Sequence, residues 1–330
     1  VDINISDLTD DTDKSDNYLL GVLTNILITV YFKINTPKAG EKIKNEFKER
    51  LEKLLQLKDN FKKYIIETLV SYLNSLFLID SDWTEKNLIY LFNWNNEELS
   101  FFAWKGLLNC SKFNFEVIFR LKDYLLKSFN YYERFKGAKN YMVNFFVFTT
   151  IEFSSENRKL YKDKEVRDIL KLDNNEIRET VLQYIQNRLR NNNPDEIWEK
   201  EIKNWINKYW PKDAKFKTTE LNNSFINIIF LLDKYFQEAT NILIKFIKID
   251  NNDKYHSIWY MYDIEEKITK YPNEILIILK NTYSKRIDMH SMEELKKNLV
   301  KIKENDINIL NNENFIYLAE KLKKKGIEIG

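Results

Sequence analysis

The chain has little of what most folds and most active sites depend on. Its 330 residues include 6 glycines, 4 prolines, 2 histidines and 1 cysteine. So few turn-forming residues exclude β-sandwiches and barrels, which need many tight turns. They also exclude nucleotide-binding α/β folds, whose phosphate loops cluster glycines. A single cysteine, Cys110, permits no internal disulfide and suits a reducing cytoplasm. Within Leu107-Leu108-Asn109-Cys110 it reads as a small buried hydrophobe. Neither His256 nor His290 lies in a His-Glu-x-x-His or Cys/His spacing, so no metal site is expected. His290 precedes Ser291 and reads as a helix-entry residue, and His256 as a partly buried helix residue. Nucleophile elbow, Walker loop and dinucleotide fingerprint are all missing, and Gly106 and Gly137 stand alone. The expectation is a chain without catalysis or cofactor of its own.

An excess of one charge is also lacking. The 52 basic and 50 acidic residues leave a formal net charge of +2, so no overall field draws the chain to nucleic acid or a membrane surface. The most apolar early run, Tyr18 to Phe32, is interrupted by Thr24, Asn25 and Thr29. It falls short of the roughly 20 apolar residues of a membrane span and reads as a buried helix. Before it, Val1 to Asp16 is acidic and has no basic signal-peptide region. Asp7, Asp10, Asp11, Asp13 and Asp16 lack the glycine and closing glutamate of a calcium loop. Residues 1–15 therefore read as an acidic linker, with something expected ahead of Val1 in the natural protein.

What is present is helical periodicity. Hydrophobic residues make up 44% of the chain and charged residues 31%, which supports a packed core under a solvated surface. Between Pro37 and Leu57, Ile43, Phe47, Leu51, Leu54 and Leu55 recur at three- and four-residue spacing, with Thr36 placed to cap and Pro37 at the first position. Asp82 to Glu85, Asp173 to Glu176 and Ser291 to Glu294 have capping-box spacing. Asn193-Pro194 and Tyr271-Pro272 mark two more helix starts. About sixteen helices are expected, near 16–33, 37–57, 60–78, 83–93, 96–109, 114–130, 137–151, 162–171, 174–191, 194–210, 219–235, 237–248, 255–270, 272–285, 291–304 and 312–325. Short connections between them favour stacked helical hairpins. The predicted fold is all-α, an irregular HEAT-like helical repeat array (an α-solenoid) with units near 40 residues, because tetratricopeptide, ankyrin and leucine-rich signatures are absent. Ser154-Ser155-Glu156-Asn157 interrupts the apolar pattern, so the repeats divide into 16–153 and 154–330.

Aromatic residues reach 15%. Trp94, Trp104, Trp205 and Trp210 sit on apolar helix faces and are predicted to be structural anchors between neighbouring repeats, with Pro211 ending the last of these helices. Trp205 and Trp210 point about 140° apart on a helix, so burying both requires packing on two sides. An alternative use of aromatic residues is stacking on bases. Tyr131, Tyr132, Phe135 and Tyr141 interleave with Arg134, Lys136 and Lys139, which would contact phosphates. A core of large rings is the preferred reading, because acids nearly equal bases. The carboxylate pairs Glu97-Glu98, Glu265-Glu266 and Glu293-Glu294 have lysines at helical spacing and read as solvated faces.

Several segments in order carry a resemblance. Leu91-Phe92-Asn93-Trp94 is followed by Ala103-Trp104-Lys105-Gly106-Leu107-Leu108. Ile197-Trp198-Glu199-Lys200-Glu201-Ile202 leads into Trp205-Ile206-Asn207-Lys208-Tyr209-Trp210-Pro211-Lys212-Asp213. Tyr271-Pro272-Asn273-Glu274 begins a later apolar helix. Together these resemble the helical C-terminal region of bacterial anti-phage defence proteins, over roughly residues 80 to 325. Many of those proteins carry an N-terminal sirtuin-type NAD-hydrolysing domain. The resemblance implies a cytoplasmic regulatory or sensor segment that binds a phage protein or another protomer and controls a separate effector. No catalytic residue of the sirtuin domain has a counterpart here.

Overall fold

A computed structural model of the chain describes residues 19–110, 113–154, 159–248, 264–282 and 289–329. Among them all regular structure is helical, with no strand. The chain divides into two compact units, Val1–Ile169 and Leu170–Gly330. The division falls later than the break expected at residue 153. The acidic residues before Leu19 and His256 lie outside the described residues.

The first unit contains α1 (Leu19–Asn35), α2 (Asn45–Leu55), α3 (Asp59–Ser71), α4 (Leu73–Ile79), α5 (Ser81–Asn87), α6 (Glu97–Leu108), α7 (Phe115–Ser128), α8 (Lys139–Glu152) and, at its end, α9 (Asp163–Leu170). Helix α1 packs on α3, α3 on α6 and α6 on α8. The α3–α6 contact explains Gly106. A Cβ there would fall inside the van der Waals shell of the Glu67 carbonyl oxygen, so only glycine lets the two backbones approach this closely.

The second unit contains α10 (Asn175–Arg190), α11 (Pro194–Ile197), α12 (Lys203–Tyr209), α13 (Thr219–Leu231), α14 (Phe236–Leu243), α15 (Ile264–Lys270), α16 (Pro272–Thr282), α17 (Met289–Asn305) and α18 (Glu313–Lys323). A π-helical turn, Trp198–Ile202, joins α11 and α12 into one rod. Helix α10 packs on α13, α13 on α14, α14 on α16 and α16 on α18.

Several polar contacts between elements join residues 34 to 41 apart in the sequence. In the first unit, Lys63 donates to Glu98 at a separation of 35 residues, Asn96 to Asp59 at 37, and the Asn114 amide to Asn74 at 40. In the second, Trp198 donates to Glu238 at 40, Asn227 to Gln186 at 41, and Lys280 to Asn314 at 34. Other bonds between elements span different separations, 31 residues from Trp83 to Glu52 and 47 from Tyr72 to Asn25.

Helix starts depart from the expected caps where the chain uses distant partners. Thr36 and Pro37 do not open a helix, and α2 begins only at Asn45. The intervening segment is tied to the end of α4: the Gly40 amide donates to the Leu78 carbonyl and the Lys42 amide to that of Ile79. Thr36, Gly40 and Lys42 all have positive φ, which no helix accommodates. Asp80 rather than Asp82 caps α5, accepting from the Trp83 amide at 3.2 Å. Asn174 rather than Asp173 caps α10, and Ser291 lies inside α17. Asn193 caps α11 with Pro194 behind it, and α16 starts at Pro272, as the sequence predicts.

Candidate protein-docking surface

The most site-like feature begins with the composition of α1, Leu-Leu-Gly-Val-Leu-Thr-Asn-Ile-Leu-Ile-Thr-Val-Tyr-Phe-Lys-Ile-Asn, where Lys33 is the only charged residue. Gly21, Thr24, Ile28 and Tyr31 face inward and are buried. Tyr31 stacks on Phe47 of α2 with ring centroids 3.9 Å apart, and its hydroxyl accepts from the Lys44 amide at 3.2 Å. The Tyr72 hydroxyl donates to Asn25 at 2.5 Å, fixing α1 on α3.

The opposite side of α1 is uncovered. Leu19, Leu23, Ile26, Val30 and Ile34 are 72, 49, 52, 44 and 75% exposed. At 100° per residue they form a stripe about 80° wide, directly opposite the buried positions. The expectation of a buried helix at Tyr18 to Phe32 is therefore corrected: α1 is covered on one side and carries an exposed aliphatic stripe on the other. A groove of about 310 Å³ between α1 and α2 adjoins the stripe. Leu27, Val30, Tyr31, Ile34 and Phe47 line it, and Asn35, Lys44, Glu46 and Arg50 form its polar rim. Lys44 donates to Asn35 at 2.6 Å and Arg50 to Glu46 at 2.9 Å, so the rim is held in place.

The tryptophans singled out in the sequence lie inside. Trp94, Trp104, Trp205 and Trp210 are buried, and Pro211 is buried beside them in sequence. Trp94 lies in the bend between Phe92 and α6, not on a helix face as expected; it stacks on Tyr131 at 4.3 Å and adopts φ +64°, a left-handed conformation that a bulky residue rarely takes. Trp104 meets Phe92 edge-on. Trp205 meets Tyr209, while Trp210 meets Phe225 and Phe246. Trp210 thus reaches rings of other elements, whereas the ring contact of Trp205 is to Tyr209 one turn on in α12. Trp198 was not singled out, yet it is fully buried and its Nε1 donates to Glu238 at 3.2 Å. Its position seven residues before Trp205, two turns along one helix face, was the available signal.

The basic residues considered for phosphate contacts are largely committed elsewhere. Arg134 pairs with Glu97. Lys139 pairs with Glu133 at 2.7 Å and lies over the Tyr132 ring. Lys136 is exposed, but Tyr132 and Phe135 are buried and Tyr131 lies against Trp94. The arrangement offers no continuous platform of rings and free cations.

Of the paired carboxylates, Glu97 and Glu98 are held by Arg134 and Lys63, and Glu265 by Lys301. Burial pushes the Cys110 thiol up to about 11, and its Sγ lies 3.3 Å from the Ser71 carbonyl oxygen. The side chain is only partly buried, so Cys110 is not the fully buried small hydrophobe that the sequence suggests. Among the described residues no group of three or more His, Cys, Asp or Glu side chains could hold a metal ion, and no helix is long and apolar enough to cross a membrane. No family model, curated protein or solved structure matches the chain.

Proposed function

We propose that this chain is a non-catalytic recognition and assembly segment that binds a protein partner through the exposed face of α1. The observation that carries the proposal is the unbroken aliphatic stripe from Leu19 to Ile34 beside a groove with a polar rim. A helix that is apolar all round belongs in a buried setting, and a contiguous exposed apolar patch marks an interaction surface. Several inter-element contacts 34 to 41 residues apart support a HEAT-like array of stacked hairpins as the framework. The resemblance in the segments around Trp94–Trp104 and Trp198–Trp210 supplies the setting: a cytoplasmic bacterial anti-phage protein. In it, the segment holds a separate effector, such as a sirtuin-type NAD-hydrolysing domain, under control of a phage component or another protomer.

Affinity capture from phage-infected bacterial lysate tests the docking surface. The parent chain should retain a partner that a Leu23→Glu/Ile34→Glu variant loses, with helical circular dichroism unchanged. Equal capture by the two removes α1 from the account. The chain should also leave NAD intact, and NAD consumption by it would sink the non-catalytic reading. Nucleic-acid binding is the weaker reading, because Arg134 and Lys139 are already paired with carboxylates. Filter binding that falls with salt and is abolished by Arg134→Ala/Lys136→Ala would restore it.

A further inference from the structure

We propose that the π turn in the α11–α12 rod is a conformational lock, kept in place by Glu238 of α14. The turn spans Trp198–Ile202, and the Lys203 amide donates to the Trp198 carbonyl five residues back. An α-helix would bond that amide to Glu199, four residues back. The turn therefore carries one residue more than the α-helix on either side of it.

What the extra residue achieves is seen at Glu238. Trp198 Nε1 donates to one carboxylate oxygen at 3.2 Å, and Lys203 Nζ pairs with the other at 2.5 Å. Residues five apart on an α-helix point about 140° away from each other, which turns one of them off a shared partner. In a turn whose backbone bonds are five residues long, they stand nearly one above the other. The double grip on Glu238 thus belongs to the π register.

Local sequence does not impose that register. Trp198-Glu199-Lys200-Glu201-Ile202 has no glycine or proline, so nothing in it forbids an ordinary helix. A contact from outside the rod must favour the rarer turn. Trp198 is fully buried, so without Glu238 its N–H would lose its acceptor inside the protein, and that loss is costly. From another side, Arg188 of α10 holds Glu201 by two bonds, at 2.7 and 2.9 Å. That contact engages a single residue of the rod and sets no spacing along it.

The lock is reachable from solvent. The side chains of Lys203 and Glu238 are 31 and 36% exposed, and α11 buries no residue of its own. Opening the lock would turn α11 and Trp198 relative to α12, leaving Trp205, Ile206 and Tyr209 in their packing. Asp195 of α11 accepts from the Asp233 and Lys234 amides, so the same movement would free the turn ahead of α14.

Crystal structures of the full 330-residue chain and of its Glu238→Ala variant test the lock. The parent should keep the Lys203 amide on the Trp198 carbonyl, and in Glu238→Ala it should move to the Glu199 carbonyl. In solution, 5-fluorotryptophan labelling reads the same change. The fluorine line of Trp198, assigned by its loss in Trp198→Phe, should shift in Glu238→Ala, while that of Trp104 should not. If the alanine variant fails to fold, Glu238→Gln should shift the Trp198 line by less. Deleting Lys200, an exposed residue of the turn, should give an unbroken α-helical rod and a melting midpoint within about 3 °C of the parent. Deleting Gln183, exposed on the regular α10, should lower the midpoint by more than about 10 °C. Arg188→Met should leave the π turn in place. A π turn retained in Glu238→Ala overturns the proposal, as does a Trp198 line unmoved in both Glu238 variants. Loss of the turn in Arg188→Met would overturn the assignment to Glu238. A Lys200 deletion as damaging as that of Gln183 would overturn the one-residue reading of the turn.

Discussion

Single side chains divide here into those that hold the fold and those available to a partner. Trp205 and Trp210 are buried and touch different aromatic neighbours. Truncating either to alanine should cost about 3–5 kcal/mol, whereas Lys208→Ala, at an exposed position over the Tyr209 ring, should change stability by less than about 0.5 kcal/mol. Urea unfolding of these variants checks the contrast. Stability unchanged by Trp205→Ala or Trp210→Ala would contradict the structural assignment. Asp80 offers a pH-dependent case. Its buried carboxylate loses hydration, which alone would raise its pKa. The Lys48 ammonium and the Trp83 and Ile43 amides outweigh that loss and hold it below the ordinary aspartate value. A depressed folded-state pKa means that its stabilisation is present above the unfolded-state value, near pH 4, and is lost as pH falls through the folded-state pKa. Asp80→Asn should therefore destabilise the chain by about 1–2 kcal/mol at pH 7. That gap to the parent should narrow below about pH 4 in urea unfolding. A gap independent of pH would mean that Asp80 acts through hydrogen bonds alone.

At the scale of elements, the contrast between α1 and α6 is the informative one. Leu23 on the outer face of α1 is half exposed, so Leu23→Glu should shift the thermal midpoint modestly, by the equivalent of about 1 kcal/mol or less. A larger loss would show that the stripe is core after all. On α6, Gly106→Ala should cost about 1–3 kcal/mol, because the added methyl meets the Glu67 backbone carbonyl and not a flexible side chain. Most helices were legible from apolar spacing, and Asn193-Pro194 and Tyr271-Pro272 marked their helix starts from local chemistry alone. The segment from Thr36 to Lys44 was not. Local signals there favour a helix, but hydrogen bonds from the Gly40 and Lys42 amides to the Leu78 and Ile79 carbonyls, some 40 residues away, hold it in a turn with positive φ. Asp80 outcompeted Asp82 as a cap for a related reason, since its position lets one carboxylate serve Trp83, Ile43 and Lys48 together.

For the whole chain, the all-helical class followed from scarce glycine and proline and from three- and four-residue periodicity. Which helices pack on which was only coarsely legible, because packing resides in which residues touch and not in which residues repeat. Lys63–Glu98 and Asn227–Gln186 occupy comparable separations with unrelated chemistry. The candidate docking surface was hidden for a different reason. Periodicity finds an apolar stripe but does not say which of a helix's apolar positions the rest of the chain covers. A protein docking on the uncovered side of α1 would shield the aliphatic stripe there. Carbene footprinting of the chain, alone and in its assembled or partner-bound form, measures this directly. Leu19, Leu23, Ile26, Val30 and Ile34 should label strongly in the free chain and become protected together on binding. Equal labelling of these five in both states, with protection elsewhere, would contradict the account.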